Sequence, residues 1–424
     1  MNHMKSKLMS NAVPILFTFL CIGGIILSGT PLSTIFADVA NRFDRNILLV
    51  LSLIIPVTCG LGMNFGIVLG AMCGQIGLIT VTIMQMEGIS AILVAGLIAM
   101  VTAVICGILA GMLLNKTKGQ EMITSMILGY FANGIYQFIF LFVVGGVIKV
   151  QSDIILSGGV GIKNTVALDH LQYGLDGLTI FGLGGRVDIF TGITFFAAFF
   201  AVCMLISAIR NKKFTKPFLW RMAVCGILIV VAQIMTRMEM FMMAKMLIRV
   251  PIPTFLLITL ICFLLTKFMK TKMGQDMRAI GHDREVAMSS GINVDRTRII
   301  AVIISTVLAA WGQIIFYQNL GTMDAYYGHE KVGIFCVAAI LIGGASVTKA
   351  TIGQAVLGTI LFHLLYNVSP LASQQIFNDS MVGGYFRMTL CYGVIAVALM
   401  LHVWNSMHKG KGPVNEENVE KKES

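Results

Sequence analysis

The sequence predicts an all-α, polytopic membrane protein of about twelve transmembrane segments, with broken or re-entrant helices and an inverted repeat. Three observations carry that expectation. The 424 residues are 57% hydrophobic and only 12% charged, with a mean hydropathy of +0.85, whereas soluble domains run near 45–50% apolar and about 25% charged. Apolar runs of roughly membrane-spanning length, about 20 residues each, recur along the chain. The basic residues gather in short loops between those runs, as topology signals do.

The runs fall at 11–29, 46–62, 64–86, 88–113, 122–148, 188–210, 222–237, 252–268, 298–318, 332–345, 350–367 and 386–405. Those at 46–62, 222–237 and 332–345 are short and read as broken, tilted or re-entrant. Lys5 and Lys7 precede the first run, but the run is long and lacks a small-x-small cleavage site, so it reads as a span rather than a signal peptide. Alternating crossings put the N-terminus, Lys116/Lys118, the 210–221 loop, the 267–298 loop and the tail from Lys409 on one side. The positive-inside rule makes that side the cytoplasm. The exception is 237–249, where Arg237, Lys245 and Arg249 fall on the outer side. Residues 1–408 thus read as one transmembrane domain, with 188–237 an added helical hairpin, and 409–424 as a disordered cytoplasmic tail.

Several chemistries find no support in the sequence. A Gly-x-x-x-x-Gly-Lys-Ser/Thr phosphate loop, a His-Glu-x-x-His and a Gly-x-Ser-x-Gly are all missing. The nine cysteines are scattered through apolar runs without a Cys-x-x-Cys, the pattern of small buried hydrophobes rather than metal ligands. The net charge of +11 follows the loops, so nucleic acid is not implied. No catalytic or metal site and no cofactor on this chain is expected; ATP and Mg would belong to a partner.

The most informative stretch runs from Lys267 to Arg298, with seven Lys/Arg and four Asp/Glu. Asp283 is a good N-cap, Glu285 suits the positive end of a helix dipole, and Gly291 suits the left-handed position after the last turn. A two-turn helix over Arg284–Ser290 follows, with Val286, Ala287 and Met288 read as exposed. A solvated loop has no need of such a helix; a helix-in-groove contact does.

Here the residues reach a resemblance. Gly274-x-x-Met-Arg278-Ala279-Ile-Gly281-x-Asp283-x-x-x-Ala287-x-x-Ser290-Gly291-Ile292-Asn293-Val294 resembles the coupling loop of ABC-importer permeases of the branched-chain amino acid, ribose-type sugar and nucleoside permease family. The likeness continues through Ala301–Gln313, Ala338–Ser346, Gly353, Gly358 and Leu361, and through Glu121–Ala132, which is similar to nucleoside-type members. Pro251-Ile-Pro253 is similar to sugar-type members. The resemblance implies ABC ATPase subunits docked on Arg278, Gly281, Asp283, Arg284, Glu285, Ala287, Ser290 and Gly291. It also implies a second permease subunit, an extracytoplasmic solute-binding protein and a bacterial plasma-membrane location. The chain departs from the family pattern at Asp283, where Asn is usual, in the 188–237 hairpin, and in the Gly60–Gln75 stretch, which matches neither the sugar nor the nucleoside version.

Two Gly-rich interruptions, Gly60–Gly77 and Gly343–Gly358, stand in corresponding halves. Paired breaks mark a substrate path in inverted-repeat transporters; close packing through Gly66, Gly70 and Gly74 is the simpler reading. Polar residues inside spans are scarce and therefore candidates for the pathway: Asn64, Gln75, Tyr130, Asn133, Gln137, Gln313 and His363. His363 alone reads more readily as a packing residue than a ligand. A neutral lining suits a monosaccharide or nucleoside. The methionines at 235, 238, 240, 242, 243 and 246 form a run that could favour Cu(I) or serve as adaptable packing; the charges among them and the lack of nearby His or Cys favour packing. The competing class is a twelve-helix secondary transporter driven by an ion gradient. It fits the span number but not the short 211–221 connection at the centre of the chain.

Overall fold

The computed structural model describes residues 12–117, 119–150, 152–179, 184–211 and 216–409. Lys5, Lys7, Lys118, Lys212, Lys213 and, beyond Lys409, the expected tail lie outside the described residues. The protein is a helical membrane bundle with two small antiparallel strand pairs. Helices α1 (Ala12–Ser28) and α2 (Leu32–Leu51) are followed by the five-residue α3 (Ile54–Thr58), a glycine-rich break, and α4 (Ile67–Ile83). Then come α5 (Gly88–Lys116) and α6 (Glu121–Phe138), whose last turns widen over Ile139–Val143. Strands β1 (Thr165–Ala167) and β2 (Arg186–Asp188) precede the hairpin α7 (Ile189–Asn211) and α8 (Lys216–Arg237). The short α9 (Met242–Leu247) and β3 (Arg249–Pro251) lead to α10 (Ile252–Phe268). Next are α11 (Lys272–His282), α12 (Arg284–Ser289), α13 (Val294–Leu320) and β4 (Thr322–Asp324). Helices α14 (Val332–Ile342), α15 (Ile352–Phe377) and α16 (Ser380–Lys409) complete the described chain.

Among the described residues, seven helices are long and apolar enough to cross a membrane, or eight if the pair α10 and α11, bent by 74°, forms one span. Three shorter apolar helices, Val13–Ser28, Ile67–Ile83 and Val332–Ile342, accompany them, and the expected count of about twelve is not confirmed among the described residues. The apolar run at 46–62 is interrupted between α2 and α3, and the run at 332–345 supplies an eleven-residue helix. At about 1.5 Å per residue, α14 covers roughly half of a ~30 Å hydrocarbon core. The run at 222–237, in contrast, is an unbroken helix.

The core is the packing of α13 against α4 and α5, and small residues make it possible. A Cβ on Gly70 would stand 2.4 Å from Thr306 O, and one on Gly74 2.6 Å from Ala310 O. From α5, Gly107 and Gly111 meet Ile303 and Ile299 in the same way. The stripe on α4 is thus close packing at those two positions.

Loop contacts mark the two ends of the bundle. At one end Asn115 Nδ2 donates to Asp295 O at 2.9 Å, and Arg298 pairs with Glu121 at 2.5 Å; this is the basic end. At the other, β1 pairs with β4 and β2 with β3, and Gly88 N–H donates to His170 O at 3.1 Å. The 237–249 segment joins this opposite end through β3. Both glycine breaks lie at the basic end, where a Cβ on Gly62 would come within 3.5 Å of Val347 Cγ1. Each break is reached by a short helix and left by a longer one.

Candidate functional site: a polar cleft and a coupling segment

The cleft forms where α6 meets the start of α14. Residues 322–331 turn inward from the opposite end because their polar groups find partners inside the bundle. Asp324 Oδ1 accepts from the Tyr326 and Tyr327 N–H groups, Gln75 Nε2 donates to Asp324 O at 3.1 Å, and Tyr136 Oη donates to Ala325 O at 3.0 Å. Tyr326 Oη donates to Ile162 O at 2.6 Å, tying this turn to the loop that follows α6. Phe65, Met126, Tyr130, Asn133, Glu330 and Gly333 line an open cleft of about 400 Å³, its mouth included.

His329 is the buried centre of this turn. Its Nδ1 is 2.6 Å from Gln75 Oε1 and its Nε2 is 2.8 Å from Asn133 Oδ1. The Tyr136 ring stands edge-on to it at 4.9 Å. Both amides are oriented by other partners. Gln75 Nε2 also donates to the Tyr317 hydroxyl at 3.1 Å, and Asn133 Nδ2 donates to Glu330 Oε1 at 2.8 Å. Two amide oxygens facing both ring nitrogens require two N–H groups, which only an imidazolium has. Burial acts the other way and pushes His329 down to about 4, against the pull of Asp324. At neutral pH the ring is neutral and one amide must turn. Gln75 is fixed by a backbone carbonyl. Asn133 is free to turn, and turning releases Glu330 and the 3.3 Å bond from Gln137. At neutral pH, therefore, Asn133 serves either His329 or Glu330, and a solute that offers a hydrogen-bond donor to Glu330 can take the place of the amide.

Of the expected pathway residues, Gln75, Tyr130, Asn133 and Gln137 come together here. The others do not. Asn64 is buried in the first break, where its Oδ1 accepts from Gly66 N–H at 2.9 Å. Gln313 is buried on α13 against Gly74. His363 packs between Phe362 and Tyr366 on α15. His329, Glu330, Tyr136 and Tyr317 are new to the site. His329 and Glu330 lie outside the spans, on a turn that re-enters the bundle from a loop, while Tyr136 and Tyr317 lie within spans and carry no local mark that sets them apart from packing aromatics. The signal that could have found the turn was His329-Glu330-Lys331 directly abutting the apolar run at 332.

The coupling segment lies at the basic end. Asp283 Oδ1 accepts from the N–H groups of Glu285 and Val286 at 2.9 and 3.0 Å, and Gly291 is left-handed at φ +82°. The helix ends at Ser289, with the Ser290 N–H donating to Val286 O at 3.1 Å. Val286 and Met288 are each 60% exposed, but Ala287 is 2% exposed and belongs to the core, which corrects its reading as a surface residue. One face of so short a helix is needed to hold it against the bundle. Arg284 pairs with Asp295 at 3.5 Å, and Arg278 donates to Met269 O at 2.8 Å. Gly281 lies against the break after α3: a Cβ there would stand 2.2 Å from Thr58 O, and one on Gly60 would stand 3.0 Å from Gly281 Cα. Helix α11, which directly precedes the capped α12, and the first glycine break are thus in backbone contact.

Residues 35–404 match the family described as the branched-chain amino acid transport system permease component. The chain belongs to this family. Among individual relatives, this permease is 31% identical over 120 residues to the xylose transport system permease protein XylH of Haemophilus influenzae, covering 28% of this chain and 32% of XylH. It is 25% identical over 164 residues to the probable ABC transporter permease protein YphD of Escherichia coli, covering 38% of this chain and 47% of YphD. It is 33% identical over 95 residues to the high-affinity branched-chain amino acid transport system permease protein LivH of Salmonella typhimurium, covering 22% of this chain and 31% of LivH. The matches thus span less than half the length of each of these relatives. No solved structure matches.

Proposed function

We propose that this protein is the membrane-spanning permease subunit of a bacterial ABC importer for a small polar nutrient, a monosaccharide or nucleoside. It sits in the plasma membrane with both termini cytoplasmic. The observation that carries the reading is the contact of Gly281 with Gly60 and Thr58, which joins α11, directly before the capped and partly apolar α12, to a break in the bundle. A separate ATPase pair, with ATP and Mg, docks on Val286 and Met288 from the basic, cytoplasmic end. Its closure moves α12, and the backbone contact passes that motion to α3 and α4, whose far half carries Gln75. A binding protein delivers solute from the outer end to the cleft at Glu330 and Asn133. The relatives named for xylose transport and branched-chain amino acid transport support a nutrient cargo. Asn133, Tyr130 and Glu330 favour a hydroxyl-bearing one, through donors and an aromatic wall.

The cleft is open along α6, and a carboxylate beside an amide at a lipid-facing surface is costly. A second permease subunit against α6 completes the path and covers those groups. The test uses Met288→Glu, which leaves the buried Ala287 in place. The variant is expected to reach the membrane in normal amount and to lose at least tenfold in capture of its cognate ATPase. Undiminished capture would overturn the docking assignment. Uptake by the chain alone in vesicles, driven by a proton or sodium gradient, would replace it with a secondary transporter.

A further inference from the structure

The methionine-rich segment after α8 is not used by either site. Residues Glu239–Phe241 form a 3-10 turn that runs into α9. Met240, Met242, Met243 and Met246 are 73%, 56%, 60% and 60% exposed. Phe241 and Ala244 turn inward, the Phe241 ring 5.9 Å from that of Phe190 at the start of α7. Arg237, Lys245 and Arg249 are exposed on the same segment, with Glu239 the one acid among them.

We propose that residues 238–247 are an interfacial anchor: the methionines lie in the acyl boundary of the leaflet at the opposite end of the bundle, and Arg237, Lys245 and Arg249 hold lipid phosphates. Three observations select a bilayer over a soluble partner. The segment is fused to α8, which is long and apolar enough to cross the membrane and has only 6% of its apolar window buried. It is level with the start of α7 and α10, because β2 pairs with β3 across it. A six-residue helix at that height, next to a lipid-facing span, has lipid beside it. A flexible thioether face flanked by cations is the pattern of helices that lie in an interface, and long cationic side chains reach from there to the headgroups. The assignment also accounts for basic residues on the side where the charge rule expects few. That rule counts charges kept from crossing, whereas these are placed at phosphate level. The hairpin α7–α8, which has little other support from the bundle, gains a second point of attachment at its outer turn.

The test places nitroxide labels at Met243→Cys, Met246→Cys and Glu239→Cys, in a background whose nine native cysteines are replaced by alanine. The protein is held in nanodiscs of phosphatidylcholine with phosphatidylglycerol. Oxygen is expected to relax the labels at 243 and 246 more than a water-soluble nickel chelate does, and the reverse is expected at 239. Labels at 243 and 246 that respond like 239 would overturn the proposal and leave the face to a soluble partner. A second measurement keeps the native cysteines. Adding phosphatidylglycerol to phosphatidylcholine nanodiscs is expected to raise the unfolding midpoint of the unsubstituted chain. The combined variant Arg237→Glu, Lys245→Glu, Arg249→Glu is expected to lose that rise. Equal rises in both would overturn the role of the cations.

Discussion

Asp44 and Asp176 are two buried carboxylates that share one amide. Asn319 Nδ2 donates to Asp44 Oδ2 at 3.2 Å and to Asp176 Oδ2 at 3.5 Å. Asp176 also has Arg186 at 3.4 Å and the hydroxyl of Thr254, while Asp44 Oδ1 has no protein partner. Asp44 lies on the part of α2 that precedes the apolar run beginning at 46. Burial first, and then the charge of Asp176, push it up from 3.8 to about 7, against the opposing charges of Arg45 and Arg186. A carboxyl with a raised native pKa holds its proton more tightly folded than unfolded. Stability therefore falls as pH rises from about 4 to about 7, where the native group finally ionises. Asp44→Asn keeps an acceptor for Asn319 and removes the charge. It is expected to raise the thermal unfolding midpoint in detergent at pH 8 by a few degrees, with little effect at pH 5. A midpoint lowered equally at both pH values would show that the ionised carboxylate stabilises the fold. The same scale shows what a residue list misses. Gln75 was legible as a lone amide in an apolar run, but His329, its partner, sits 254 positions away, and no local pattern announces that pairing.

At the scale of elements, legibility followed the range of the forces involved. The Asp283 cap and the left-handed Gly291 were readable because capping is a contact within three residues. The burial of Ala287 was not, because the face a two-turn helix turns inward is set by the bundle beneath it. The breaks at 46–62 and 332–345 were foreshadowed by their short apolar runs, whereas 222–237 proved longer than its run because Lys216 and Arg221 are admitted into the helix end. The sharpest consequence concerns Gly281. An alanine there would put its Cβ against Thr58 O, and relieving that clash means separating α11 from the break, at a cost of about 1–3 kcal/mol. Gly281→Ala is expected to retain ATPase capture, because Val286 and Met288 are unchanged, and to lose most of the stimulation of ATP hydrolysis by solute and binding protein. Gly291→Ala is the control, since it meets backbone strain at φ +82° but has no atom within 4 Å. If both variants behave alike, the contact is not a route for coupling.

At the scale of the whole molecule, the cleft on α6 is incomplete by itself. Exposed Glu330 and the half-buried Asn133 stand in the cleft beside Met126 and Tyr130, which are themselves exposed. Lipid would satisfy the hydrophobes and strand the polar pair, water alone would do the reverse, and a second permease subunit packed along α6 would satisfy both. Its α6 would cover the apolar residues and leave a shared aqueous path over the polar ones. In a cysteine-replaced background, Met126→Cys is expected to give a disulfide-linked dimer in native membranes under mild oxidation. Ile227→Cys, on the lipid-facing α8, is expected to give none. Asn133→Leu is expected to cut uptake at least tenfold without changing dimer formation or ATPase capture, because it removes the one group that exchanges between His329 and Glu330. Cross-linking through α8 but not α6 would move the subunit interface to the hairpin. The cleft would then need another cover, and the route assigned to solute would fail with it.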